Sequence, residues 1–436
     1  MYRKLIEDLK KWKSSAHRKP LIIQGARQTG KTWIMKEFGR TEYKQVAYLF
    51  CQENPALESL FNQPFDVERL INGFQMLCGF KIIPEDTLII LDEIQEIPKA
   101  LTSLKYFCER CPEYHIVCAG SLLGIALHKD NSFPVGKVNF LNLYPLSFTE
   151  FLTATGKQQM AELILNKNQD SALLSSFSEN YKEALRLYFY IGGMPEAVST
   201  WIETNDFKEV RRVQKEILLA YEKDVSKHTS SEMANKIEQV WNSLPSQLAK
   251  ENKKFLYSAV KESARAREYE NAINWLKNAG LITKVHRVTK PGIPLKGYED
   301  FDAFKIFIHD IGLLCSMTEL SAKTLLEGNK LFTEFKGSLT EQYVCQQLLS
   351  EVGVVPYYWS AKDAKSEIDF LVQMDENIVP IEVKAEINLQ AKSLKQYREN
   401  HNPEMAFRFS LSDFADHGCL KDIPLYDIAW IKNYLV

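Results

Sequence analysis

Gly25-Ala26-Arg27-Gln28-Thr29-Gly30-Lys31-Thr32 follows a short apolar run, Leu21-Ile22-Ile23, and a helical stretch opening with Trp33 comes directly after it. Glycines at this spacing let backbone N–H groups curl around phosphate oxygens, and the N-terminus of the next helix adds partial positive charge. Lys31 would reach the β- and γ-phosphates, and the Thr32 hydroxyl would ligate Mg²⁺. Residues 25–33 are therefore candidate ligands of ATP. A second stretch, TLIILDEIQ at 87–95, is a continuous apolar strand that ends in Asp92 and Glu93. Buried parallel strands read this way, and their ligands sit beyond the C-terminal ends. Asp92 would hold the magnesium through water, and Glu93 would polarise the attacking water. The following strand, HIVCAGS, ends at Ser121, where a polar group would face the γ-phosphate.

Far downstream lies a different set of acids. Read as a helix, FKGSLTEQYVCQQLLSE places Glu341 on one stripe with Val344, Cys345 and Leu348. A carboxylate on an apolar stripe is expensive unless it has a partner or a metal. Two strand-like runs follow, SEIDFLVQ with Asp369 and IVPIEVKA with Glu382 and Lys384. Side chains alternate along a strand, so Glu382 and Lys384 share one face while Val383 turns to the other. Helix acid, strand acid and then E-x-K on the next strand resembles the PD-(D/E)xK arrangement of restriction-endonuclease-like folds. That resemblance implies Asp369 and Glu382 as ligands of Mg²⁺, Lys384 as the group that orients water or stabilises the phosphate, and Glu341 as a fourth catalytic residue. Ile368 stands where that pattern usually has proline. Gln396 and Tyr397 lie near the helix that often flanks such sites.

Cys108, Cys111, His115 and Cys118 could be read as zinc ligands. Strand alternation, however, puts Cys118 and His115 on opposite faces of HIVCA, and Cys108 ends a helical stretch, so the expectation is ordinary buried thiols.

The elements that must position these residues follow from length and patterning. A chain of 436 residues holds two to four domains, and its 45% hydrophobic and 25% charged content is that of a globular protein. A net charge of −2 excludes a globally basic nucleic-acid binder, so any basic surface is local. No apolar run approaches the ~20 residues of a membrane span, and the amphipathic start, with Leu5, Leu9 and Trp12 on one face, has no signal-peptide core. Eight scattered cysteines do not form a disulfide framework, and the expected location is the cytoplasm. Residues 151–225 are helical by periodicity and are punctuated by GGMPEA at 192–197, a break that needs glycine. Between Pro245 and Asp300 eleven Lys/Arg stand against six Asp/Glu, an excess of five positive charges. Three helices and then LITKVHRVTKPGIP read there as a winged helix. Tyr269, Ala272, Ile273 and Leu276 form its packing face, and Lys261, Arg265, Arg267 and Lys284 point outward to phosphates.

The runs GARQTGKT, LDEIQEIP, AGS and VGKVNFLNLYPLSFTEF, followed by GGMPEA and FKIFIHDIGLLC, resemble a prokaryotic family of AAA-type P-loop ATPases with a C-terminal restriction-endonuclease-like domain. The resemblance implies an α/β multidomain chain: an AAA-type parallel-sheet domain at 1–155, a helical lid at 156–228, a winged helix at 229–300 and a nuclease-like α/β domain at 301–436. It also implies an Mg²⁺-dependent ATPase, with nucleic acid, DNA first, as the partner of the 245–300 segment and the C-terminal domain. A switch that binds DNA or a protein without cutting is the alternative. AAA-type sites are often completed by a second copy, which makes a homo-oligomer the expected assembly. Lys137 stands where the family commonly has arginine, and lysine lacks the planar bidentate fork of an arginine finger.

Overall fold

The computed structural model describes residues 1–120, 134–166, 171–249, 254–327, 333–361, 366–385 and 392–434. Ser121 falls outside them. By contacts the chain divides into two compact units: Met1–Tyr144 with Asn278–Gly280, and Pro145–Lys277 with Leu281–Val436.

The first unit is built on five strands: β1 (Leu21–Gln24), β2 (Gln45–Phe50), β3 (Thr87–Asp92), β4 (His115–Ala119) and β5 (Asn139–Asn142). They lie in the order β2-β3-β4-β1-β5, and every pairing is parallel. Alternation along β3 explains why both faces are covered. Leu88 and Ile90 pack with Leu9 and Trp12 of helix α1 (Leu5–Ser14) and with Ile34, Met35 and Phe38 of α2 (Lys31–Glu42). Ile89 and Leu91 face the other way, onto Leu57, Phe74 and Leu104 of α3 (Pro55–Asn62), α4 (Val67–Cys78) and α5 (Pro98–Arg110). All six residues of β3 are buried, as a continuous apolar run requires of a central parallel strand. Each such Leu or Ile contributes roughly 1.5–3 kcal/mol by leaving water.

The second unit opens with helices, among them Phe148–Ala154, Ser178–Ile191, Pro195–Thr204, Phe207–His228 and Ser231–Leu248. It continues into an eight-stranded mixed sheet of order β12-β13-β11-β10-β9-β8-β6-β7. These strands are β6 (Ile282–Val288), β7 (Glu299–Ile308), β8 (Tyr357–Ser360), β9 (Glu367–Met374), β10 (Asn377–Val383), β11 (Ala406–Ser410), β12 (Ala415–His417) and β13 (Leu420–Pro424).

Here the structure departs from a free-standing winged helix. The two strands expected as the wing, β6 and β7, pair with each other, but β6 also pairs in parallel with β8 through Arg287↔Tyr358 and Val288↔Trp359. The hairpin therefore extends the C-terminal sheet, and position 300 lies inside β7. The helix before it behaves as its pattern demands. Tyr269, Ala272, Ile273 and Leu276 are buried on helix Ala266–Asn278, while Lys261, Arg265 and Arg267 are exposed. Lys284 does not point freely outward. It is half-buried, with Nζ 3.9 Å from the centroid of the Phe304 ring.

The second unit is also tied together by buried amides. Three glutamines on helix Thr333–Gln347 reach main-chain groups elsewhere in the unit. Ile308 N–H donates to Gln342 Oε1 at 2.9 Å, Ile311 N–H to Gln346 Oε1 at 2.9 Å and Phe148 N–H to Gln347 Oε1 at 2.9 Å. Beside them Asp310, fully buried, accepts the Gly193 N–H at 2.6 Å. A Cβ at Gly193 would sit 2.2 Å from Leu146 O, which is why the GGMPEA turn needs glycine there.

Candidate functional site

The phosphate-type loop spans the end of β1 and the start of α2. A Cβ at Gly25, whose φ is +149°, would stand 2.2 Å from Leu143 O, so only glycine lets the loop pass beneath that carbonyl. Inside the loop Thr29 Oγ1 donates to Ala26 O at 2.9 Å, and Arg3 Nη1 donates to Thr29 O at 2.9 Å. Arg3 also bonds Tyr144 O, so the N-terminal segment staples the loop to the stretch that follows β5. Lys31, the first residue of α2, donates to Gly25 O at 2.8 Å and Ala26 O at 2.7 Å. Burial pushes its ammonium down to about 8, against the pull of the Glu93 and Asp92 carboxylates. Arg27 is half-buried, Gln28 exposed, and Trp33 is an exposed aromatic on the first turn of α2.

The acids at the end of β3 meet this loop. Thr32 Oγ1 donates to Asp92 Oδ2 at 2.6 Å, and Tyr48 OH donates to the same oxygen at 2.9 Å. Glu93 adopts the left-handed conformation, with φ 51° and ψ 46°, uncommon for a residue with a side chain and a pointer to a functional constraint. Its Oε2 accepts from Gln95 Nε2 at 2.6 Å. That bond fixes the orientation of the Gln95 amide and leaves its Oε1 buried without a hydrogen-bond partner. The residues fit a magnesium nucleotide: Thr32 and Asp92 supply a hydroxyl and a carboxylate side by side, and Lys31 rests on carbonyls that a phosphate oxygen can replace.

Three participants escaped the reading of the sequence. Arg3 lies 26 residues from its acceptor and carried no local signal. Tyr48 is on β2, opposite Ile90 of β3, a register that only the folded sheet reveals. Gln95 stood in the LDEIQ stretch, and only its side-chain direction was missing. Lys137 forms an ion pair with Glu109 of α5 at 3.0 Å. His115 shares a 2.7 Å hydrogen bond with Tyr43 OH, and burial pushes its imidazole down to about 4. Cys118 is fully buried, and Cys108 and Cys111 are half-buried.

The C-terminal acids come together around two lysines. Glu341, Val344, Cys345 and Leu348 are all buried, as their stripe predicts. Lys384 Nζ donates to Glu382 Oε1 at 2.6 Å, the same-face contact that alternation implies. Asp369 Oδ2 accepts from Val383 N–H at 2.7 Å. The unexpected member is Lys305 of β7. Its Nζ lies 2.6 Å from Glu367 Oε1 and 3.8 Å from Glu341 Oε2, and its side chain is 1% exposed. Burial alone would lower this ammonium, but the Glu341, Glu367 and Asp369 carboxylates outweigh it and hold the group raised. Burial likewise pushes the Glu382 carboxyl up against the pull of Lys384. Among the described residues no three His, Cys, Asp or Glu side chains are grouped to hold a metal ion. At the residues expected as metal ligands, Asp369 and Glu382, and at Glu341 beside them, the structure places two ammonium groups among the carboxylates, those of Lys305 and Lys384. Gln396 is exposed, and Tyr397 is buried against Trp359, with ring centroids 5.2 Å apart, so neither joins the cluster. Lys305 had one signal, a lone cation inside the apolar strand FKIFI.

Comparison with known families matches residues 17–152 to an AAA domain. Residues 182–324 and 336–426 match two domains of unknown function, DUF8612 and DUF4143. The first unit is thus an AAA-type P-loop domain by both its family match and its parallel sheet. No curated protein matches the chain. Similar solved structures include a Walker-type ATPase of Pyrococcus abyssi, 15% identical with a TM-score of 0.45, covering 73% of this chain and 96% of that one. The Orc1 protein of Aeropyrum pernix in complex with DNA is 13% identical, with a TM-score of 0.28 and coverage of 73% and 91%. Cdc6p of Pyrobaculum aerophilum is 12% identical, with a TM-score of 0.25 and coverage of 74% and 93%. All three scores lie below 0.5. Among the described residues no helix is long and apolar enough to cross a membrane.

Proposed function

We propose that the chain is an Mg²⁺-dependent ATPase whose nucleotide state governs nucleic-acid binding, DNA first, by the second unit. The observation that carries the ATPase reading is the convergence of Lys31, Thr32 and Asp92 at the loop between β1 and α2. When bound with ATP, magnesium would neutralise charge on the β- and γ-phosphates, and Thr32 and Asp92 would hold it. Lys31 would leave Gly25 O and Ala26 O for phosphate oxygens, while the first N–H groups of α2 cradle them. Glu93 would orient the attacking water and accept its proton, with Gln95 fixing the carboxylate and Tyr48 fixing Asp92. A second copy would complete the site in a cytoplasmic homo-oligomer.

Nucleic-acid binding is supported by the excess of five positive charges between Pro245 and Asp300 and by exposed Lys261, Arg265 and Arg267. Binding without cleavage is favoured over metal-dependent cleavage because Lys305, which is no part of the E-x-K pattern, already occupies the acid cluster.

Phosphate release by the purified chain, beside Lys31→Ala, tests the first half; a loss of about 100-fold or more is expected. Labelled single- and double-stranded DNA, with and without ATP, tests the second. Three phosphate contacts predict affinity about 40-fold lower at 200 mM than at 50 mM salt. Turnover with no DNA binding would remove the nucleic-acid half. Cleavage with Mg²⁺ that disappears in Lys384→Ala would restore a working nuclease.

A further inference from the structure

The C-terminal cluster contains four carboxylates, Glu341, Glu367, Asp369 and Glu382, and two ammonium groups, those of Lys305 and Lys384. Helix acid, strand acid and E-x-K ordinarily surround a divalent cation, and here the protein brings its own positive charge to that place. We propose that Lys305 is the resident cation of this cluster, standing where a divalent metal would otherwise be held. The inference deepens the reading of binding without cleavage and rests on it.

The placement of Lys305 follows from its strand. The last six residues of β7, Ala303–Ile308, are all buried, and Lys305 is the one charged residue among them. Its neighbours in the strand, Phe304 and Ile306, turn to the opposite face, so the lysine stem must enter the space beneath helix Thr333–Gln347 and β9. There its ammonium meets Glu367 at 2.6 Å and Glu341 at 3.8 Å, with the Tyr358 ring centroid 4.9 Å away. An ammonium is a compact charge with three donors, suited to a place among several carboxylates. The remaining acids are engaged too: Asp369 by the Val383 N–H and Glu382 by Lys384. A dication entering this space would lie against a buried like charge that has no solvent route of retreat. Lys305 acts as a positioning residue that holds the carboxylates of the helix and of β9 together without metal.

The test is a titration of the full-length protein with Mn²⁺ alone, read by electron paramagnetic resonance, in an Asp92→Asn background that silences the nucleotide site. With Lys305 present, no saturable Mn²⁺ site is expected at the C-terminal cluster. Adding Lys305→Met should open one site per chain, and further adding Glu382→Gln should abolish it. Saturable binding with Lys305 intact that Glu382→Gln removes would overturn the proposal, as would a folded Lys305→Met protein that gains no Mn²⁺. Should Lys305→Met not fold, the pair Asp92→Asn and Asp92→Asn/Glu382→Gln still decides: identical Mn²⁺ titrations support the proposal, and a site lost with Glu382 sinks it. None of these readouts uses ATP turnover, so a failed ATPase assay and a failed metal titration remain distinguishable.

Discussion

Lys31 and Lys305 are both buried lysines set near carboxylates, and they are held in opposite ways. Lys31 spends its donors on two main-chain carbonyls, with Asp92 and Glu93 close enough to act on its charge but bonded to other partners. Burial wins there, and the ammonium is pushed down to about 8. Lys305 is paired directly with the Glu367 carboxylate and lies close to that of Glu341, the carboxylates win, and its charge is fixed. An ammonium held by neutral carbonyls is held more weakly than one paired with carboxylates, so the first lysine can be surrendered to an arriving phosphate and the second cannot. The difference separates a group poised for a ligand from a group that completes the fold.

The largest expected effect is on stability. Lys305→Met should destabilise the chain by about 3–5 kcal/mol, because it strands buried carboxylates without their counter-charge. Lys31→Met should leave stability unchanged or raised, since it removes an ammonium that burial disfavours. Urea denaturation of the two variants checks this, and equal losses would dissolve the contrast.

Next comes pH. Burial holds the Lys31 ammonium at about 8 in the folded chain, below the 10.5 of a solvated lysine side chain in the unfolded one. Between those values the unfolded chain binds more protons, so this group's contribution to stability rises with pH across that window. ATP binding has the opposite sign, because the protonated form meets the phosphates. Affinity for a fluorescent ATP analogue should fall about tenfold from pH 7 to pH 9. A flat profile would mean that the lysine stays charged and that the two sites are more alike than their partners suggest.

The smallest effect concerns the residues that hold the acids of the first site. Gln95→Ala should lower kcat roughly tenfold with KM unchanged, by freeing the Glu93 carboxylate. Tyr48→Phe should cost a few-fold through Asp92. Steady-state phosphate release separates them; a change confined to KM would place Gln95 in binding instead of water orientation.

What was legible in the sequence was local. The glycine spacing of 25–30 states a backbone path, so the loop, Lys31 and Thr32 stand where the pattern put them. Alternation was enough to bring Lys384 onto Glu382, and helical spacing was enough to bury Glu341 beside Leu348. Pairing across long stretches of chain was not legible. Nothing near Val288 announces Trp359 as its neighbour, so β6 and β7 read as a separate wing when they extend a larger sheet. The same blindness hid Lys305, whose acids lie 36 and 62 positions away at Glu341 and Glu367. A cation inside an apolar strand implies a buried partner, but the strand alone does not name it.

The three glutamines of helix Thr333–Gln347 have a consequence for how this chain can vary over generations. They grip N–H groups of Ile308, Ile311 and Phe148, atoms that every residue except proline provides. Mutation at the three gripped positions is therefore filtered for shape and for the absence of proline, not for particular functional groups. The burden of inheritance falls on Gln342, Gln346 and Gln347 themselves, since a shorter amide would strand the buried N–H groups they now receive, and a carboxylate at 342 would lose the donor that Gln342 gives to Ile308 O.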